Sequence, residues 1–494
     1  MSQPTSTAPL PPHDLDRSLV HGIAWTAGLK WFTQVLSWAS TLVVARLLTP
    51  GDYGLVGMAT VYLGLVQLVN EFGLGAAILQ RRDLTEDQIA RLGGLSILLG
   101  IFFSILSVAL AWPIAGFFGE AAVRLIVIVL SITFITTAFQ VLPRALLQRD
   151  LEFRKLAWLD GIEAVALTAA TLIFALLGFR YWALVLGGVA GKTISTVVAL
   201  VWRAHRLAWP RRFRTILGEV TFGSHIVVSR IAWYAYNNAD TTIVGRVLGK
   251  IALGAYNLGW TLASIPVDRI SGMVARVTPG IFSAVQHDPP ALRRYLLRLS
   301  EGLAFITFPV SVGTALVADD FVTVALGEKW RPAVVPLQLL SLYGGFRSLA
   351  TLLPQVLVAT GHSRRSMQFN LIAVVVLPIV FYVGSRWGTA GVAMGWIIGY
   401  PIVVIPLFFR AAFRAIELPA AEYLAALWPA LNSTFVMAVA VTAVRFLVAG
   451  RWGATVDLTL LVLVGAAAYS GMLLVAYRER MQAFAGLYRK FRAA

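Results

Sequence analysis

The stretch Arg46-Leu-Leu-Thr-Pro-Gly-Asp-Tyr-Gly54 returns two hundred positions later as Arg246-Val-Leu-Gly-Lys-Ile-Ala-Leu-Gly254, with Arg, Leu and Gly in register and no gap. The same offset pairs Lys30 with Arg230. Each match is short, and short matches between apolar segments also arise by chance. Their common offset and their order along the chain nevertheless indicate an internal repeat, and hence two equivalent units.

The sequence on either side of these stretches is strongly apolar. Of 494 residues, 58% are hydrophobic and 13% are charged, and the mean hydropathy is +0.76. Apolar runs of about 20 residues, which cross a ~30 Å hydrocarbon layer as a helix, recur from residue 21 to residue 477. We predict an all-α integral membrane protein with about 14 transmembrane helices, centred near residues 33, 66, 100, 131, 167, 192, 229, 262, 306, 346, 377, 399, 436 and 467.

The charge distribution indicates topology and not nucleic-acid binding. The net charge is +17, but the basic residues are scattered singly in short loops and not striped along one face. Most of the 41 Lys and Arg fall in segments that face the cytoplasm if the N-terminus does, so we predict that both termini are cytoplasmic. The chain has no Cys, which excludes a disulfide, a thiolate metal site and a cysteine nucleophile.

Two further features extend the repeat. Predicted helices 4 and 10 end in Leu142-Pro143 and Leu353-Pro354, and helices 6 and 12 carry ladders of small residues that let helix backbones approach closely: Ala183, Gly187, Gly191 and Gly391, Gly395, Gly399. Six helices per unit give both units one orientation, with a cavity between them. We predict a disordered cytoplasmic N-terminus (1–20), an N-lobe (21–210), a C-lobe in parallel repeat (211–415), two extra C-terminal helices (416–478) and a cytoplasmic amphipathic tail on the membrane lipid (479–494).

Three stretches resemble a known family: Ala45-RLLTPGDYGLVGMA-Thr60, Phe72-GLGAAILQRRDLTEDQ-Ile89 and Leu142-PRALLQRDLEFRKL-Ala157. The chain resembles the multidrug/oligosaccharidyl-lipid/polysaccharide flippase superfamily, and within it the Wzx-type polysaccharide exporters near the colanic acid exporter branch. The resemblance implies a flippase, with no chemical step, that moves an undecaprenyl-pyrophosphate-linked oligosaccharide across the bacterial inner membrane by alternating access, for exopolysaccharide, O-antigen or capsule biosynthesis. It implies a monomer and leaves an association with polysaccharide polymerase machinery open.

Charges at bilayer depth are candidates for function because burying them in lipid is costly. Lys30 and Arg230 lie about 24 Å deeper along their helices than the outer arginines Arg46 and Arg246. The related flippases resemble one another in having cationic cavities, so we predict that Lys30, Arg230, Arg269 and Arg347 bind the diphosphate or anionic sugars. The alternatives are snorkelling to the interface or an internal ion pair, for instance between Asp268 and Arg269. Lys192 could equally form a structural pair with Glu163.

Carboxylates within the spans could couple transport to protons or sodium ions. The candidates are Glu71, Glu163, Asp240 and Asp268. Asp240 follows Asn237 and Asn238, whose oxygens suit a small hard cation. Neutralising the arginines is the simpler role for these carboxylates. No organic cofactor and no bound metal are predicted. Trp and Tyr near span ends are interpreted as interfacial belts: Trp112, Tyr181, Trp182, Trp387 and Trp452.

Two other function classes remain open. A multidrug/cation antiporter of the same fold would favour an acidic and aromatic cavity over a cationic one. A membrane polysaccharide polymerase or ligase would need a sizeable outer loop with clustered carboxylates or His, and the longest predicted outer loop spans only about Asp319 to Pro332.

Overall fold

A computed structural model of the chain describes residues 37–70, 78, 84–209, 231–448, 452–480 and 482. Most of these residues are helical, and no β-strand occurs among them. They fall into two compact units. The first unit comprises Met1–Leu48 and Tyr62–Val227, and the second comprises Thr49–Val61 and Val228–Ala494.

The helices are numbered in chain order. They are α1 (37–47), α2 (Pro50–Asn70), α3 (Glu86–Phe118), α4 (Ala121–Leu130), α5 (Ile132–Arg149), α6 (Phe153–Leu176), α7 (Tyr181–Trp202), α8 (231–237), α9 (Ala239–Ile243), α10 (Gly249–Ala284), α11 (Pro289–Ala325), α12 (Val334–Ala350), α13 (Leu353–Ala359), α14 (Ser363–Gly384), α15 (Gly388–Met394), α16 (Ile405–Ala415), α17 (Ala420–Val448) and α18 (Ala454–Ala476).

Within the described ranges, 8 helices are long and apolar enough to cross a membrane, judged by length and composition. They contain nine of the predicted centres, and the centres near 66, 262 and 346 lie in α2, α10 and α12. The centres near 33 and 229 lie outside the described residues, as do the predicted disordered N-terminus and nearly all of the C-terminal tail. The chain is therefore a multi-span helical membrane protein, and the count of fourteen stays a prediction.

The two Leu-Pro pairs do not end helices in the way the sequence predicted. Pro143 lies inside α5, which continues to Arg149, so the prediction for helix 4 is wrong. A proline removes one backbone donor, but a helix can continue past it when its other bonds hold. Pro354 instead lies in the first turn of α13, where the missing donor costs nothing.

Prolines also reshape the predicted helix near residue 399. A π-helical segment, Gly395–Val404, contains Pro401 and joins α15 to α16, which has Pro406 in its first turn.

The loop predicted over about Asp319 to Pro332 is shorter in the structure. Helix α11 runs on to Ala325, and a 3-10 turn follows at Glu328–Ala333.

Both ladders of small residues pack against the preceding long helix, as close-approach motifs do. In the first unit, a Cβ on Gly187 would lie 1.9 Å from Thr171 Oγ1 and one on Gly191 would lie 2.7 Å from Leu167 Cβ, both on α6. In the second unit, a Cβ on Gly391 would lie 2.1 Å from the carbonyl oxygen of Gly384, at the end of α14. The predicted close packing at the ladders is confirmed.

The stretches that revealed the repeat contact one another within the second unit. A Cβ on Gly54 would lie 1.8 Å from the carbonyl oxygen of Lys250, and one on Gly254 would lie 1.7 Å from that of Pro50. Position 57 likewise meets position 257, because a Cβ on Gly57 would lie 2.4 Å from Asn257 Nδ2. The first two contacts are equivalent under the offset of two hundred, because Pro50 corresponds to Lys250 and Gly54 corresponds to Gly254. Such reciprocal contacts are what a local two-fold relation requires. Helices α2 and α10 cross where only glycine permits backbone contact.

Candidate substrate site

A polar cavity of about 350 Å³ lies within the second unit, among helices α8, α10, α12, α13, α14 and α16. Aromatic rings, amides and hydroxyls supply most of its polar surface: Trp233, Tyr236, Asn237, Ser271, Tyr343, Ser348, Thr351, Asn370 and Tyr400. Among the described residues, its only charged lining groups are Arg347 and Asp268. The cavity therefore combines apolar ring faces with hydrogen-bonding groups, which is the usual composition of a small-molecule site.

The two charged residues form an ion pair. Arg347 Nη2 donates to Asp268 Oδ1 at 2.5 Å, joining α12 to α10. The guanidinium also lies over the ring of Trp260, 5.6 Å from its centroid, which is a cation–π geometry. Asp268 thus pairs with Arg347 and not with the adjacent Arg269 that sequence analysis named as its example partner. Consecutive residues on a helix point about 100° apart, so neighbours in sequence rarely face each other.

An aromatic cluster backs this pair. The ring of Tyr343 lies 4.9 Å from that of Trp396 and 5.8 Å from that of Tyr400, measured between centroids. Trp260 lies 5.5 Å from Trp396. Offset and edge-to-face contacts of this kind stabilise a fixed arrangement of rings. On the side of α12 and the π-helical segment, the cavity wall is therefore backed by closely packed aromatic rings.

Asp240 is fully buried beside this cluster. Its Oδ2 accepts hydrogen bonds from Tyr256 Oη at 2.7 Å and from Trp396 Nε1 at 2.8 Å, and its Oδ1 accepts one from the backbone N–H of Thr241 at 2.7 Å. Three neutral donors satisfy a carboxylate without any cation. Its partners are therefore not the arginines that the simpler interpretation of the sequence assigned to it.

The amides near Asp240 do not converge on a common point. Asn237 Nδ2 donates to the carbonyl of Trp233 at 3.0 Å, and Asn238 Nδ2 donates to that of Tyr234 at 2.9 Å. Across the described ranges, no group of three or more His, Asp or Glu could hold a metal ion. Neutral donors already occupy three of the roughly four acceptor sites of the Asp240 carboxylate.

The remaining candidates are spread over the chain. Arg269 is solvent-exposed and is absent from the cavity lining, and it forms no ion pair within the described ranges. Lys30, Arg230 and Glu71 lie outside the described residues. Among the predicted site residues that the structure describes, Arg347 and Asp268 are brought together, and Asp240 lies behind the aromatic cluster.

The first unit has its own intramembrane pair. Lys192 Nζ lies 3.5 Å from Glu163 Oε1, between α7 and α6. The structural pairing considered from sequence for Lys192 is confirmed. Gly191, beside this lysine, is in direct contact with α6, so the pair sits where two helices touch.

Sequence analysis missed the aromatic and amide lining of the cavity: Trp233, Tyr236, Tyr343, Asn370 and Tyr400. Trp and Tyr were interpreted as interfacial belts, and only charged residues within the spans were considered as site candidates. One signal was available, because these residues lie near predicted span centres and not near span ends. Tyr343 and Arg347 are also four residues apart, on one face of a helix.

The chain is similar to known membrane and polysaccharide biosynthesis proteins. A family model described as polysaccharide biosynthesis protein matches residues 43–335. An uncharacterized membrane protein in the cps region of Klebsiella pneumoniae is 28% identical over 389 residues, covering 78% of this chain and 80% of the relative. The lipopolysaccharide biosynthesis protein WzxC of Escherichia coli (strain K12) is 24% identical over 421 residues, covering 84% and 85%.

Solved structures of similar fold include two transporters. The lipid II flippase MurJ in an inward closed conformation matches with a TM-score of 0.74 at 14% identity, covering 93% of this chain and 100% of that chain. An inward-facing multidrug resistance transporter of the MATE family matches with a TM-score of 0.64 at 16% identity, covering 78% and 95%. At these identities the likeness shows the fold alone.

Proposed function

Because the chain belongs to the family of polysaccharide biosynthesis proteins, we propose that it moves a lipid-linked oligosaccharide across the bacterial inner membrane. The substrate in this proposal is an undecaprenyl-pyrophosphate-linked oligosaccharide, and transport involves no covalent step. The observation that carries the proposal is the cavity at Arg347 and Asp268, which brings charged and hydrogen-bonding side chains together in two predicted spans of a strongly apolar chain. Charged side chains in such spans are costly and often mark substrate paths.

The diphosphate needs cations that are not already neutralised. In this proposal Lys30, Arg230 and Arg269 supply them, since Arg347 is held by Asp268. Arg230→Ala and Arg269→Ala are each expected to abolish polysaccharide export without lowering the protein's abundance in the membrane. Wild-type export from both variants would remove the cationic site from the proposal.

Alternating access of two lobes in a monomer is the transport mode that we propose. Coupling to protons or sodium would use Glu71, Asp240 or Asp268. Support for a role of Asp240 is its complete burial at a helix interruption, since the π-helical turn Val244–Leu248 follows it and the π-helical segment with Trp396 packs on it. Such interruptions occur often at functional sites.

Complementation tests the proposal. The chain is expressed in a host that lacks its own exopolysaccharide flippase, and both surface polymer and accumulated lipid-linked repeat unit are measured. We expect restored polymer and a cleared intermediate. Normal membrane expression without either change, in hosts with several different repeat units, would contradict the proposal.

A multidrug/cation antiporter is the second candidate, and one feature of the cavity, its aromatic lining, would also suit that function. The lining is rich in aromatic rings, and its arginine is neutralised by a carboxylate, as a site for flat organic cations would require. Resistance of an efflux-deficient host to cationic dyes separates the two candidates. Raised resistance without polymer export would establish the antiporter.

A further inference from the structure

The charge balance of the cavity limits what it can bind. Arg347 and Asp268 are its only charged lining residues within the described part of the chain, and their side chains bond to each other at 2.5 Å. The rest of the polar lining is neutral. Among the residues that the structure describes, the side chains that line this cavity therefore carry no net charge.

A diphosphate is a poor ligand for such a site. Its phosphate oxygens would have to approach the Asp268 carboxylate, and like charges repel. They would also compete with the Asp268 carboxylate for the guanidinium of Arg347, which already lies over Trp260. Breaking a partly buried pair leaves one charge without its partner, which is unfavourable.

A sugar ring fits the same lining well. Its C–H faces pack on aromatic rings, and its rim of hydroxyls needs side chains that donate and accept hydrogen bonds in fixed geometry. Trp233 is 50% exposed and presents indole surface, while Asn237, Asn370 and the Arg347–Asp268 pair offer planar polar groups. The volume of about 350 Å³ is at the small end of the range for ligand pockets, with room for one or two sugar rings.

We infer that this cavity is a subsite for one or two uncharged sugar residues of the transported oligosaccharide, and that Asp268 keeps acidic sugars and phosphate out by neutralising Arg347. The inference rests on the proposed function, because it assigns part of that substrate. It separates sugar recognition from diphosphate recognition. The diphosphate is then bound by cations other than Arg347.

Saturation-transfer NMR on the full chain in lipid nanodiscs tests the inference, since it detects weak ligands. The probes are methyl glycosides of neutral hexoses, 6-deoxyhexoses and N-acetylhexosamines, together with methyl glucuronide. Inorganic pyrophosphate, which has no protons to detect, is added as a competitor. We expect signal from at least one neutral glycoside, strongest on the protons of one ring face, no signal from methyl glucuronide, and no loss of the glycoside signal when pyrophosphate is added. Signal from methyl glucuronide alone, signal from no probe, or displacement of the neutral glycoside by pyrophosphate would overturn the inference.

Two variants sharpen the test. Trp233→Ala should reduce the neutral-glycoside signal at least about fivefold, whereas the control Trp428→Ala, at an exposed tryptophan that does not line the cavity, should leave it unchanged. Asp268→Asn should admit methyl glucuronide with at least about tenfold tighter binding, because Arg347 loses its carboxylate. An Asp268→Asn protein that still rejects the glucuronide contradicts the role given to Asp268.

The export assay distinguishes failure of this inference from failure of the proposed function. Restored polymer export with no glycoside binding removes the sugar subsite and leaves the flippase. Raised dye resistance without polymer export would contradict both the sugar subsite and the proposed flippase function.

Discussion

Each unit contains a cation–carboxylate pair that joins two predicted spans, but the surroundings of these two pairs differ. In the first unit, Lys192 and Glu163 face each other at 3.5 Å where α6 and α7 touch. In the second unit, Arg347 and Asp268 are 2.5 Å apart on the wall of a cavity, and the arginine lies over Trp260. The pair in the first unit joins two helices, whereas the pair in the second faces space that a ligand can enter.

This difference shows that an intramembrane charge indicates function only together with its surroundings. The cost of burying a charge requires a partner, and either a neighbouring helix or a substrate path can supply it. Lysine offers a point charge, while arginine offers a planar fork that can bond to a carboxylate and stack on a ring at once. Polysaccharide export should therefore depend on the pair in the second unit more than on the pair in the first.

The largest effect is expected from replacing the second unit's pair. Arg347→Met together with Asp268→Leu keeps apolar volume and leaves no unpaired charge, so the protein should still reach the membrane in normal amount. Polysaccharide export should fall at least about tenfold, because the cavity loses its charged hydrogen-bonding groups. Export and membrane abundance are measured in the complemented host. Export near the wild-type level would indicate that this pair only joins two helices, as the pair in the first unit does.

The glycine ladders should differ in their tolerance of alanine. A Cβ on Gly391 would lie 2.1 Å from a backbone oxygen of Gly384, while one on Gly187 would lie 1.9 Å from the side chain of Thr171, which can rotate. We expect Gly391→Ala to lower thermal stability most, by about 1 to 3 kcal/mol, and Gly187→Ala less. Gly188→Ala is the control, since nothing lies within 4 Å of its Cβ position.

Equal stability loss at Gly391 and Gly188 would contradict the backbone contact in the second unit. A greater loss at Gly187 than at Gly391 would reverse the comparison between the ladders. Thermal unfolding of the purified variants in one detergent, followed by helix content, gives both answers.

A smaller difference should depend on pH. Burial lowers the pKa of His205, in the segment after α7, below its usual 6.5, although a hydrogen bond to the carbonyl of Arg203 opposes the shift. The folded state therefore binds a proton less readily than the unfolded chain, and folding stability should fall as the pH drops below about 6.5. The melting temperature measured at about pH 7.5 and 5.5 should decrease more in the wild type than in His205→Gln. An identical decrease in both proteins would contradict this prediction.

The smallest effect is expected at the first unit's pair. Lys192→Met with Glu163→Leu replaces it by apolar side chains of similar size, and such replacements of ion pairs are often neutral or stabilising. Export should stay within about twofold of the wild type. Lys192→Met alone, which leaves Glu163 unpaired, should lower membrane abundance more than the double change does. Loss of export in the double variant at normal abundance would turn this pair into a second candidate site.

Much of the fold could be predicted because its signals are local. Apolar runs of membrane-spanning length locate helices without any knowledge of their neighbours. The small-residue ladders at Gly187 and Gly391 likewise predicted close contacts, since only such residues allow backbones to approach. The helix end at Pro143 was predicted wrongly, because one missing backbone donor is too weak a signal to end a helix whose other bonds persist.

The candidate site was predictable only in part. Arg347 and Asp268 were named as isolated charges, but their partnership spans 79 positions and neither residue suggests the other. The aromatic lining was overlooked because a Trp or Tyr inside a span carries no cost that demands a partner. Asp240 was expected beside arginines, and its neutral donors Tyr256 and Trp396 are apolar enough to give no signal in a hydropathy profile.

The sequence by itself determined that this chain is helical, spans a membrane many times, repeats itself at an offset of two hundred and belongs with polysaccharide flippases in its motifs. Only the tertiary structure decided which faces meet: Gly54 against Lys250, Asp268 against Arg347, and Trp396 against Asp240. Hydropathy fixes the length of a helix but not its rotation about its own axis, because lipid and protein interior are nearly equally apolar. The rotation is set by packing and polar contacts with other helices, and it is the rotation that creates the cavity.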